Sequence, residues 1–166
     1  MYLPFKLFKL NFCTLILINS ILCYNPSERF LHNSIIIDDK LLVFSGYTNK
    51  SYYYAYYTSE FFYLDLSKSF DNNNITWKII PDNGLPVSVY HSTVVSSLDD
   101  STIYLIGGFM RNKDTLNYDY SNLVYTYDYP TSTWSVPILG GDSFPPLHNI
   151  KGIIDKSGKI YIHGEY

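Results

Sequence analysis

The chain has 166 residues, the size of one domain, and carries a net charge of −3 with 18 Tyr, 10 Phe and 2 Trp. An acidic chain without a basic stripe is a poor partner for nucleic acid, and so many aromatics favour pleated, half-buried surfaces over helices. The only cysteines, Cys13 and Cys23, stand near the start, so neither a disulfide framework nor a thiolate metal site is expected after them.

In chain order, residues 1–23 come first and read as a signal peptide. Lys6 and Lys9 give a positive start, and Leu10 to Leu22 then run apolar up to the break at Asn25-Pro26-Ser27. A charged start followed by about 7–15 apolar residues is the design of a secretory leader, and the run is short for a membrane span of about 20 residues. Cleavage is expected near Cys23, with an uncleaved signal-anchor as the alternative. The mature chain, 24–166, would hold ten basic against fifteen acidic residues, a net charge of about −5. Secretion is therefore expected, with membrane attachment only if the leader is retained or an anchor lies downstream. Two sequons, Asn49-Lys50-Ser51 and Asn74-Ile75-Thr76, make Asn49 and Asn74 candidate glycosylation sites.

Three similar units follow, at about 29–81, 86–137 and 145–166. The first opens with Arg29-Phe30-Leu31-His32 and an apolar run to Ile37. It turns at Asp38-Asp39, and a second run ends at Ser45-Gly46. The second has Val89-Tyr90-His91, a turn at Asp99-Asp100 and a run ending at Gly107-Gly108. The third has Pro145-Pro146-Leu147-His148, a turn from Asp155 to Gly158 and a run ending at His163-Gly164. Short runs of β-formers between Asp, Ser and Gly read as strands joined in hairpins. A third strand is expected at Phe61–Leu66 and Leu123–Asp128, and a fourth, opening with Trp77 or Trp134, at Thr76–Ile80 and Thr133–Val136. The tryptophans stand 57 residues apart and the histidines 59 and then 57, so the landmarks give one period. His32, His91 and His148 are accordingly read as one repeated framework position.

A four-stranded antiparallel unit with glycine closing strand two and tryptophan opening strand four resembles the Kelch repeat. The resemblance runs from about residue 29 to 166. It is most specific at Ile103-Tyr104-Leu105-Ile106-Gly107-Gly108, Val124-Tyr125-Thr126-Tyr127-Asp128 and Trp134, whereas Ser45-Gly46 and His163-Gly164 depart from Gly-Gly. It implies an all-β fold of Kelch-type β-propeller blades, stacked so that each sheet hides its faces against its neighbours. The chain would supply an incomplete ring of about two and a half blades, against the four to eight or so that close one. It is thus read as the N-terminal piece of a longer protein, or as a short form that must associate.

The resemblance implies a non-enzymatic interaction module that meets a protein or glycan through loops on one face. The loops expected after strand two, Tyr47–Glu60 and Phe109–Asn122, supply candidate binding residues Tyr52, Tyr53, Tyr54, Tyr56 and Tyr57, and Arg111, Tyr118 and Tyr120. Gly46, Gly107, Gly108 and Gly164 read as structural, and Asp38, Asp39, Asp65, Asp99, Asp100, Asp128 and Asp155 as turn formers. No catalytic residue, metal ligand or cofactor is expected. The alternative in the same family is a copper oxidoreductase similar to galactose oxidase. That family uses a tyrosine–cysteine cross-link, for which no cysteine exists beyond residue 23. A truncated gene product without function is the third reading.

Overall fold

The runs of Ile, Leu, Val, Phe and Tyr pair antiparallel throughout, and the fold of the computed structural model is all-β. The structure describes residues 24–51, 54–69, 75–80, 84–142 and 144–166; the leader read at 1–23 lies outside them. Among the described residues no helix is long and apolar enough to cross a membrane.

The first sheet is four-stranded: β2 (Asn33–Ile37), β3 (Lys40–Phe44), β6 (Phe61–Asp65) and β7 (Trp77–Ile79), in that order. Its first hairpin turns on Asp38-Asp39, with Asp38 in the left-handed region at φ 49°, which aspartate tolerates better than most residues. A second sheet repeats the order with β9 (Thr93–Ser96), β10 (Thr102–Ile106), β12 (Val124–Asp128) and β13 (Thr133–Ser135). A third hairpin follows, β14 (His148–Ile154) with β15 (Ile160–Glu165). Two small sheets lie beside these. One orders β1 (Arg29–Phe30), β4 (Tyr47–Ser51) and β5 (Tyr54–Tyr57), and the other pairs β8 (Val87–Tyr90) with β11 (Phe109–Asn112).

The segments expected as loops after strand two are therefore partly strand. Asn49, expected in a loop, lies in β4 opposite Ala55. Residues 109–112 extend the second unit by pairing with β8, which arrives before that unit's first strand.

Side chains alternate across each strand, so one face of the first sheet meets one face of the second. Ile37, Leu42, Phe44 and Phe61 from the first pack with Leu85, Val87, Val89, Ile103, Leu105, Tyr125 and Tyr127 around the second. Phe44 and Phe61 stack with centroids 4.5 Å apart. Trp134 crosses the seam, its ring 5.9 Å from Phe61, 6.3 Å from Phe44 and 5.0 Å from Tyr127. Trp77 stays within the first unit, edge-on to Phe62 at 5.3 Å.

Polar ties join consecutive units at equivalent places. Gly46 N–H donates to Val89 C=O at 3.1 Å, and Gly108 N–H to Leu147 C=O at 2.8 Å. Buried Ser45 adds a bond of its own, its Oγ accepting Val89 N–H at 2.8 Å. The glycines that end strand two fit close to the chain. A Cβ on Gly46 would lie 2.8 Å from His32 Cβ and 3.1 Å from Phe30 O; on Gly108, 2.7 Å from Ser92 Cβ and 2.6 Å from Tyr90 O. On Gly164 the neighbours would be His148 O at 3.1 Å and Ile150 Cγ1 at 3.0 Å.

These contacts fix the register between units, and it differs from the one read off the histidines. Phe30, Tyr90 and His148 are equivalent, followed by left-handed Leu31, His91 and Asn149 (φ 58°, 57° and 53°). His32, Ser92 and Ile150 come next. The three histidines thus occupy three successive positions of one turn instead of a single repeated one. The cause is that this position is defined by backbone conformation and by the approach of glycine, neither of which demands imidazole.

Candidate binding surface

The position shared by Phe30, Tyr90 and His148 is the root of an aromatic row. In β1–β4 the residue opposite Phe30 is Tyr47, and in β8–β11 the residue opposite Tyr90 is Phe109. Antiparallel partners carry their side chains on the same face within contact range. The first two units therefore each contribute a ring pair, the third contributes His148, which pairs with Glu165, and consecutive units meet. Centroids run from Phe30 to Tyr47 at 4.7 Å, Tyr47 to Tyr90 at 6.1 Å, Tyr90 to Phe109 at 4.9 Å and Phe109 to His148 at 4.6 Å. These spacings suit offset and tilted aromatic contacts. The row crosses all three units.

One flank of the row holds a cation. Tyr57, opposite Tyr47 in β4–β5, stacks on Tyr90 at 4.9 Å. Arg111, one turn of the pleat beyond Phe109, puts its guanidinium 4.1 Å from the centroid of Tyr57 and 4.7 Å from that of Tyr118. Residue 118 returns beside β11 because Asn112 Oδ1 accepts the N–H groups of Asp114 and Thr115, closing a tight turn, and Arg111 and Tyr118 then form a bridge. Tyr118 and Tyr120, two residues apart on one side of the chain, hold nearly parallel rings at 6.1 Å and 7°. They are the exposed part of the cluster, at 49% and 37%.

The electrostatics are asymmetric. Burial, with hydrogen bonds to Tyr118 and Tyr57, pushes the Tyr90 hydroxyl well up. The hydrogen bond with Tyr90 draws Tyr118 down, with a smaller contribution from Arg111. The two hydroxyls are 3.3 Å apart, within hydrogen-bond reach of each other, and either can donate. Arg111 Nε is buried without a hydrogen-bond partner, and among the described residues no carboxylate lies within ion-pair distance of its guanidinium.

Of the residues predicted from sequence, Tyr57, Arg111, Tyr118 and Tyr120 come together here. Tyr52, Tyr53 and Asn74 lie outside the described residues, as do the side chains of Asn49, Tyr54 and Tyr56, whose backbone belongs to β4 and β5. Sequence reasoning missed Phe30, Tyr47, Tyr90, Phe109 and His148. An alignment on Gly46, Gly108 and Gly164 would have found them, since each glycine precedes the second member of a cross-strand pair.

The histidines do not converge. His32 and His91 line an open cleft of about 290 Å³ with Ser92, Asn149 and Lys151, whereas His148 belongs to the row. Burial, and then the nearby Arg29 charge, lower the His32 imidazole. Among the described residues no three His, Cys, Asp or Glu side chains gather as a metal site would require. The aspartates act locally: Asp99 accepts from the hydroxyls of Ser97 and Ser101, Asp128 from Thr131 and Asp155 from Ser157. Compared with known protein families and with curated proteins, the chain matches none.

Proposed function

We propose that this is a secreted, Kelch-type β-propeller module that binds an extracellular ligand without transforming it. Several features support the blade reading. Both four-stranded sheets run in the same order, from the first strand of the unit to the fourth. Glycine closes on the same turn in three successive units. Those turns, at 31–32, 91–92 and 149–150, line one cleft, as the inner ends of blades around an axis would. The leader and sequons support secretion.

The observation that carries the binding reading is the aromatic row with Arg111 clamped at its flank. Contiguous aromatic surface at a sheet edge marks places where partners dock, and Tyr and Arg dominate binding energetics there. The test is an array of extracellular protein domains and glycans probed with the full chain, secreted from a eukaryotic host. Wild type is expected to reach the medium, shift on deglycosylation and bind a defined subset of the array. The double variant Tyr57→Ala, Tyr118→Ala should lose that subset while keeping its far-ultraviolet spectrum. A chain that stays cytosolic overturns secretion, and binding indifferent to the two substitutions overturns the site.

A further inference from the structure

We infer that Arg111, Tyr118 and Tyr120 form a subsite for an acidic sugar, a pyranose carrying one carboxylate, within the ligand surface proposed above, on which this inference rests. The cation is the starting point. A guanidinium held between two rings has lost most of its freedom, and cation–π contact stabilises its charge without using its N–H donors. At Arg111 the rings are those of Tyr57 and Tyr118, and no described carboxylate answers the charge. By contrast, Arg29 also lies over a ring, that of Phe62 at 4.4 Å, but it pairs with Glu60 at 2.6 Å and donates to Ser45 C=O. Among the described residues, Arg111 is thus a cation with no acid within ion-pair distance, in a chain with 15 acidic against 12 basic residues. Its buried Nε–H, without an acceptor, also calls for an explanation. A carboxylate is the anion whose two oxygens match the guanidinium fork.

The neighbouring rings narrow the carrier of that carboxylate. Tyr118 and Tyr120 lie nearly parallel beside the cation, and both are exposed. A tyrosine ring has an apolar body and a polar tip, which suits a molecule with one C–H-lined face and a rim of hydroxyls. A pyranose has that shape. The Tyr118 hydroxyl is held by Tyr90, so the ring is set before a ligand arrives and less freedom is lost on binding. The charge count separates the alternatives. A polyanionic surface or strand would require a basic stripe, whereas the turn here holds Arg111 and Lys113 together with Asp114 and Asp119. An acidic peptide would meet the cation but has no need of two parallel rings. One cation beside two rings matches one carboxylate on one sugar.

The test titrates the full chain with tri-galacturonic acid, its methyl ester and sialyllactose, following heat and tyrosine fluorescence. The acid is expected to bind at least tenfold more tightly than its ester, with sialyllactose bound as well. Arg111→Gln should abolish the preference for acid over ester. Arg111→Lys should weaken it strongly, because an ammonium keeps the charge but not the fork. Tyr118→Ala should weaken acid and ester alike. Near-ultraviolet dichroism of each variant checks that the aromatic cluster persists, and Arg111→Lys serves if Arg111→Gln disturbs it. Equal affinity for acid and ester overturns the inference, as does binding of an acidic peptide in place of either sugar. If no sugar binds while the array ligand is still captured through Tyr57 and Tyr118, the acidic-sugar subsite fails and the binding module stands.

Discussion

Gly107 and Ser45 hold the same place in consecutive units, and their difference is explained by what faces them. At Gly107 (φ 58°) a Cβ would lie 2.0 Å from Ile150 Cδ1. At Ser45 (φ 51°) the residue equivalent to Ile150 is Ser92, which leaves room for a hydroxymethyl group that bonds to Val89. The departure from Gly-Gly in the first unit is thus matched by a small residue in the second. Gly107→Ser is expected to cost about 1–3 kcal/mol through overpacking and backbone strain. Combined with Ile150→Ser, it should cost less than the two single changes added together, by about 1 kcal/mol in a denaturant double-mutant cycle. Strict additivity would show that Ile150 does not set the choice. Asp99 gives a second prediction at this scale. The Ser97 and Ser101 hydroxyls, and then the Ser101 N–H, hold its carboxyl at about 2, against 3.8 when unconstrained. A depressed folded value stabilises the fold above the unfolded one and ceases to do so as the group protonates. Denaturation midpoints should therefore fall as pH drops from about 4 towards 2. Asp99→Asn should remove part of that slope, the remainder belonging to Asp65, Asp119, Asp128 and Asp155, which are lowered in the same direction.

Among the elements, β13 bears the greatest consequence for its length. It has three residues, yet Trp134 within it touches Phe44 and Phe61 of the first sheet as well as Tyr127 of its own. β7 has the same length, but the ring and bridge partners of Trp77 among the described residues are Phe62 and Tyr24, neither of them in the second unit. Trp134→Ala should therefore cost about 3 kcal/mol by urea denaturation, more than Trp77→Ala. Equal costs would mean that the seam contributes little. The strands of the four-stranded sheets were legible in sequence because runs such as Lys40–Phe44 and Thr102–Ile106 are bounded by Asp, Ser or Gly. The β4–β5 hairpin was not legible. Tyrosine is both apolar and polar, so a tyrosine-rich segment shows no period-two alternation, and its pairing shows only once Tyr47 is set opposite Tyr57. The candidate residues Arg111, Tyr118 and Tyr120 could be named from their place in the segment after strand two. The aromatic row could not, because its members lie before the first strand and after the second strand of a unit and coincide only in the register set by glycine.

At the scale of the whole molecule, the largest side chains of the described core are shared between units. Phe44 and Phe61 of the first unit share one cluster with Val87, Val89, Ile103 and Leu105 of the second, and Ile150 of the third closes over Gly107 of the second. Asn33 of the first reaches the Ser92 hydroxyl, and Gly152 N–H of the third donates to the Thr93 hydroxyl at 3.1 Å. Where a core is shared between units, a partly unfolded chain exposes the face of the unit that remains, and this favours melting together. The two tryptophans allow a direct measurement. In Trp134→Phe the single remaining tryptophan, Trp77, reports on the first sheet, while far-ultraviolet dichroism reports on all strands. The two urea transitions should coincide in midpoint and slope. If Trp77 instead changes at a separate urea concentration, the first sheet is stable without its neighbour, and the shared core around Phe44, Phe61 and Tyr127 is not what holds the units together.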